Sequence, residues 1–100
     1  MGLLEAYRDE IRSLCATHNV KTLYSFGSIN TSKFTSESDI DLMVEFSTSD
    51  PFEYSDSYFD LKFELENMFD RPIDLLESKA IKNPFLQQSI NRSKVLLYGS

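Results

Sequence analysis

Apolar residues recur at three- and four-residue spacing from the start of the chain, where Leu4, Tyr7, Ile11, Leu14 and Cys15 are interspersed with Glu5, Arg8, Asp9, Glu10 and Arg12. That period predicts an amphipathic helix over residues 2–18, with Asn19 as its stop. The pattern then changes. Val20, Thr22, Leu23, Tyr24 and Phe26 favour a strand, and Gly27 ends it by admitting a turn that a side chain would resist. Residues 29–38 are rich in Ser, Thr and Asn and predict a loop or short helical turn, after which alternation resumes in a second strand, Asp39 to Phe46. Beyond Pro51, the residues Tyr54, Tyr58, Leu61, Phe63, Leu65, Met68 and Phe69 outline a second helix that ends near Asp70, its aromatics expected in the core. Arg71-Pro72 opens a third short strand, Ile73 to Leu76. Asn83-Pro84 starts a helix that runs to about Asn91, and Val95 to Tyr98 form a final strand or an apolar tail. This order predicts an α/β (α+β) fold, a small mixed β-sheet backed by helices, as a single domain over residues 1–100.

Composition narrows the function classes. One hundred residues, 41% of them apolar, suffice for one modest core. A formal net charge of -6 argues against gripping nucleic acid through its phosphates, which takes clustered Lys and Arg. No apolar run approaches the roughly eighteen residues that span a bilayer, and Met1 to Thr17 lacks the order of a signal peptide. Cys15 is the single cysteine, so an internal disulfide is excluded; a cytoplasmic location is expected, with no membrane partner.

The candidate chemistry lies in Gly27-Ser28, followed after ten residues by Asp39-Ile40-Asp41 within Ser38 to Val44. Alternation along a strand would put both acids on one face, where like charges repel unless a cation joins them. Asp74, in Ile73-Asp74-Leu75, adds a third carboxylate from a strand. Three such acids offer the hard oxygen ligands that Mg²⁺ prefers, with phosphates and water completing its shell. Gly27 would let the backbone approach a triphosphate, Ser28 would offer an N–H and a hydroxyl, and Asp74 would assist deprotonation of a nucleophile. His18 reads as a helix-end residue and Cys15 as core. Tyr54, Tyr58, Phe59 and Phe63 read as packing before they read as an adenine frame, and Lys79, Lys82, Arg92 and Lys94 as solvated surface before a phosphate or partner contact.

Gly27-Ser28, Asp39-Ile40-Asp41 and Asp74 in Arg71-Pro72-Ile73-Asp74-Leu75-Leu76 together resemble the polymerase-beta-like nucleotidyltransferase superfamily, and the short length resembles its minimal, antitoxin-type branch. The resemblance covers nearly the whole chain. It implies a nucleoside triphosphate, ATP among them, bound through Mg²⁺, with Gly27 and Ser28 on the triphosphate and Asp39, Asp41 and Asp74 as metal ligands and catalytic carboxylates. It further implies transfer of AMP to a hydroxyl of a partner, a HEPN-domain toxin. The alternative from another class is a non-catalytic nucleotide- or toxin-binding module that neutralises its partner by complex formation; self-association stays open in both. The chain departs from the family pattern after Ser28, where Ile29-Asn30-Thr31-Ser32-Lys33 replaces an Arg-Gly stretch. Lys33 can supply a point charge there but no bidentate guanidinium contact.

Overall fold

Two caps of the same design punctuate the chain. Asp50 accepts a hydrogen bond from the Phe52 N–H at 2.9 Å and Asn83 accepts from the N–H groups of Phe85 and Leu86, each just ahead of a proline at the first helical position. The computed structural model describes residues 2–99. Helices α1 (Leu3–Ala6) and α2 (Arg8–Thr17) lead into strand β1 (Val20–Phe26), a 3₁₀ turn (Gly27–Asn30) and strand β2 (Ile40–Phe46). Helix α3 (Pro51–Phe69), strand β3 (Ile73–Glu77), a second 3₁₀ turn (Ser78–Ala80), helix α4 (Pro84–Ser93) and strand β4 (Val95–Tyr98) follow. The last segment is therefore a strand and no tail.

Asn19 and Asp70 end α2 and α3 in the left-handed region, at φ 60 and 51. The first helix departs from the single run its periodicity predicts, because Tyr7 leaves the helical region at φ -110, ψ 19 and splits it in two. Its ring meets Phe69 edge-on at 5.1 Å, so tertiary packing accompanies the break.

The sheet order is β3-β2-β1-β4. Strand β1 runs antiparallel to both β2 and β4, whereas β2 and β3 are parallel and need the long crossover that α3 provides. The α/β class with a mixed sheet is as expected. One face is covered by α2 and α3 through Ile11, Cys15, Leu61, Leu65 and Phe69, which enclose Leu23, Ile40, Leu42, Val44, Ile73 and Leu75. The other carries a smaller cluster of Phe26, Met43, Ile81 and Ile90. The outer edge of β3 is closed by side chains of α3: the Tyr58 hydroxyl donates to the Leu75 carbonyl at 2.7 Å and Glu66 accepts from the Ile73 N–H at 3.2 Å. Phe63, expected inward, is 62% exposed instead. Among the described residues no helix is long and apolar enough to cross a membrane.

Candidate active site

Register builds the site. Ile40, Leu42 and Val44 point into the helix-covered core, so Asp41 between them projects onto the opposite face; Asp74, between Ile73 and Leu75, does the same. Asp41 pairs with Asp74 across the parallel ladder and with Phe26 across the antiparallel one. The two carboxylates therefore stand on adjacent strands at the same height, and the residue after Phe26 is Gly27. Gly27 has φ 76, and a Cβ there would lie 2.5 Å from the Asp41 carboxylate oxygen Oδ2, so both its conformation and its neighbour require glycine. Asp39 falls one residue before β2 and is exposed, not a strand residue as alternation predicts. Its charge nevertheless reaches Asp41.

The electrostatics follow from that placement. The Asp41 carboxyl is raised above its ordinary value, first by burial and then by the charges of Asp74 and Asp39. No cation relieves the crowding: among the described residues the recorded ion pair is Lys21 with Glu45, at 3.7 Å on a different part of the sheet. The three acids do not form a finished metal cage, since among the described residues no three acidic, His or Cys side chains converge tightly enough to hold an ion alone. An open, all-oxygen, uncompensated set beside a glycine turn still fits Mg²⁺, which keeps several waters and is bound through one or two carboxylates plus substrate phosphates.

Two residues that the sequence reading did not single out hold this geometry. Asn30 accepts from the Ser25 hydroxyl at 3.0 Å and donates through Nδ2 to the carbonyls of Ser25, at 3.0 Å, and Ser93, at 2.9 Å, tying the turn after Gly27 to β1 and to the end of α4. Arg71 donates through one Nη to the carbonyls of Thr35 and Ser38, at 3.2 and 3.1 Å, and lies 4.9 Å from the centre of the Phe34 ring. Ser38 adjoins Asp39, and the Ile40 N–H donates to the Pro72 carbonyl at 3.3 Å, so the segment before β3 fixes the entry to β2. The Arg71 Nε is buried without a partner. The signal was present as Arg71-Pro72 directly ahead of the Asp74 strand, but its target carbonyls are more than thirty residues away and no local pattern announces them.

The remaining candidates resolve individually. His18 caps α2 by donating from Nδ1 to the Leu14 carbonyl at 2.7 Å, as its helix-end reading expects. Cys15 is fully buried and its thiol is pushed up to about 12 by burial. Tyr54 packs edge-on against Phe46 at 5.0 Å and Tyr58 holds β3, whereas Phe59 and Phe63 face outward. Lys94 lies 4.6 Å from the Tyr24 ring centre, while Lys33, Lys79, Lys82 and Arg92 are exposed. A cavity of about 470 Å³ opens between α1, α2, β4 and the first 3₁₀ turn; none of the three acids lines it.

Comparisons with known proteins bear on the family and the fold. The family described as polymerase beta, nucleotidyltransferase, matches residues 9–100. A protein of Methanocaldococcus jannaschii provisionally named protein adenylyltransferase MJ1379 is 34% identical over 91% of this chain and 90% of its own length. A solved structure provisionally identified as a minimal nucleotidyltransferase is 28% identical, with a TM-score of 0.75 and 95% of each chain covered. The MNT antitoxin complex with a tri-AMPylated HEPN toxin from Shewanella oneidensis superposes with a TM-score of 0.67 at 21% identity, over 98% of this chain and 74% of that one. The last likeness speaks for the fold.

Proposed function

The chain belongs to the polymerase beta nucleotidyltransferase family, and from that premise we propose that it transfers a nucleotide, AMP from ATP, to a hydroxyl of a partner protein in a Mg²⁺-dependent reaction. The observation that carries this reading is the side-by-side placement of Asp41 and Asp74 against Gly27, with Asp39 close enough to raise the Asp41 carboxyl. Asp39, Asp41 and Asp74 are the residues that would hold the ion, whose contribution when bound is positive charge against carboxylates and phosphates. Gly27 leaves room for the triphosphate to approach the backbone, and Ser28 offers its N–H and hydroxyl to phosphate oxygens.

The partner's hydroxyl oxygen bonds to the α-phosphorus, the bond to pyrophosphate breaks, and the hydroxyl proton passes to Asp74 as general base. A HEPN-type toxin is the proposed partner, with this chain as its antitoxin; support comes from the fold it shares with the antitoxin of the AMPylated HEPN complex. Labelled ATP with Mg²⁺ and that partner should label the partner, and labelling that persists after Asp39→Ala plus Asp41→Ala overturns the reading.

A second reading, neutralisation by complex formation without transfer, is motivated by the exposed Lys33 loop that stands where the family pattern has an arginine. Neutralisation that survives loss of both Asp39 and Asp41 carboxylates supports it. Neutralisation lost while the complex remains intact removes it.

A further inference from the structure

Helix α3 has two opposite sides. Leu61 and Leu65 are fully buried, with Ser57 and Phe69 beside them, whereas Phe52, Phe59 and Phe63 are 84, 64 and 62% exposed. Seven and then four residues apart, the three phenylalanines fall within about 40° of one another at 3.6 residues per turn, on the line facing away from the core. Three aromatic rings on one exposed line are too many for chance solvation, since burying each would be worth about 1.5 to 3 kcal/mol. They are also set in acid. Helix α3 carries Glu53, Asp56, Asp60, Glu64 and Glu66 against the single base Lys62.

That combination selects the occupant. A second copy of this chain would bring the same acids against one another as the rings met, and like charges across an interface cost affinity. A cationic surface gains both terms. From Phe52 to Phe63 the stripe runs about 16 Å, the length of a three-turn helix contact. We propose that the outer face of α3 is a docking surface for a helix of a second protein whose apolar stripe is edged by lysine and arginine. Phe59 packs edge-on against Tyr58 at 5.2 Å, and Tyr58 is fixed to the Leu75 carbonyl, one residue beyond Asp74. A helix seated on the stripe therefore touches, through Phe59, the side chain that closes the edge of β3, the strand that supplies the proposed general base, a consequence that rests on the nucleotidyl-transfer reading although the docking does not.

The test is binding without nucleotide, so its outcome is independent of whether transfer occurs. Two synthetic helical peptides share one leucine stripe, edged by lysine in the first and by glutamate in the second, and their fluorescence anisotropy is titrated with this chain. The lysine peptide should bind, weaken as salt is added and lose about tenfold or more in affinity to Phe59→Ser plus Phe63→Ser, as loss of aromatic anchors predicts. Both sites are surface positions, and circular dichroism checks that the variant is folded. In Asp56→Lys plus Asp60→Lys the preference should move toward the glutamate peptide. Equal binding of the two peptides, no binding of either, or lysine-peptide affinity untouched by the phenylalanine changes overturns the proposal. So does sedimentation showing that the chain self-associates and that the phenylalanine variant does not, because the stripe then belongs to a second copy.

Discussion

Strand β2 obeys opposite rules on its two sides. Ile40, Leu42, Val44 and Phe46 are each no more than 5% exposed beneath α2 and α3, while Asp41, Met43 and Glu45 alternate with them onto a face that α4 and the two 3₁₀ turns partly cover. On the covered side the strand packs into the main hydrophobic cluster and contributes stability. On the open side the same strand places an acid beside Asp74, with no ion pair to either among the described residues, an arrangement that weakens the isolated protein. A period of two lets a seven-residue strand hold the fold together with one set of side chains and concentrate charge with the other.

The sharpest way to separate the faces is to remove one group from each. Asp41→Asn is expected to lower nucleotidyl transfer about a thousandfold, the scale of losing a group that stabilises several kcal/mol of developing charge, with no fall in melting temperature. Leu61→Ala should do the reverse, costing about 2 to 5 kcal/mol of stability while the folded fraction keeps its specific activity. Transfer assays and denaturant titrations on the same preparations check the pair; an Asp41→Asn protein that unfolds more easily would break the contrast.

Gly27 sits where the two sides meet. Gly27→Ala forces φ 76 on a residue with a side chain and drives its Cβ onto the Asp41 carboxylate, so about 1 to 3 kcal/mol of stability should be lost together with most of the transfer activity. Asp41→Asn plus Gly27→Ala should not lose the two activity effects in full, because both act through one carboxylate. Smaller still is the effect expected of Arg71→Lys. The ammonium cannot reproduce the planar fork spanning Thr35, Ser38 and Phe34, and roughly a tenfold fall in kcat is expected from the displaced Asp39 loop. A change confined to thermal stability would show that Arg71 supports the fold alone.

How much of this could be read in advance follows from range. The strand read over Asp39 to Phe46, all but its first residue, and the acid Asp74 were legible because period-two alternation is a local signal, and the Pro-led helix starts because their caps lie within three residues. The split at Tyr7 was not, since it accompanies a contact with Phe69, which lies beyond two strands in the sequence, at the end of α3. Phe63 was misplaced for a related reason: hydrophobicity marks a residue that prefers burial, but a helix with too many such residues must leave some outside. Of the candidate site, Gly27, Ser28 and the three acids stood out by type and spacing. Asn30 and Arg71 did not, because each works through backbone carbonyls that sequence does not display.

The smallest expected effect is the most direct measure of the open face. In the folded, ion-free protein the Asp41 carboxyl is raised above 3.8 by burial and by Asp74 and Asp39, so the folded state binds that proton more tightly than the unfolded chain. Between the unfolded value and the raised one, stability must therefore fall as pH rises, and the whole penalty is present above the folded value. Asp41→Asn cannot titrate and escapes it. The melting temperature of the wild type should thus drop relative to Asp41→Asn as pH rises through this window and stay lower at neutral pH, and Mg²⁺ should narrow the gap by favouring the charged carboxylate. Paired thermal melts across pH, with and without Mg²⁺, read the difference and cancel the carboxylates the two proteins share; a wild type that gains on the variant as pH rises would mean that the open face holds a compensating cation after all.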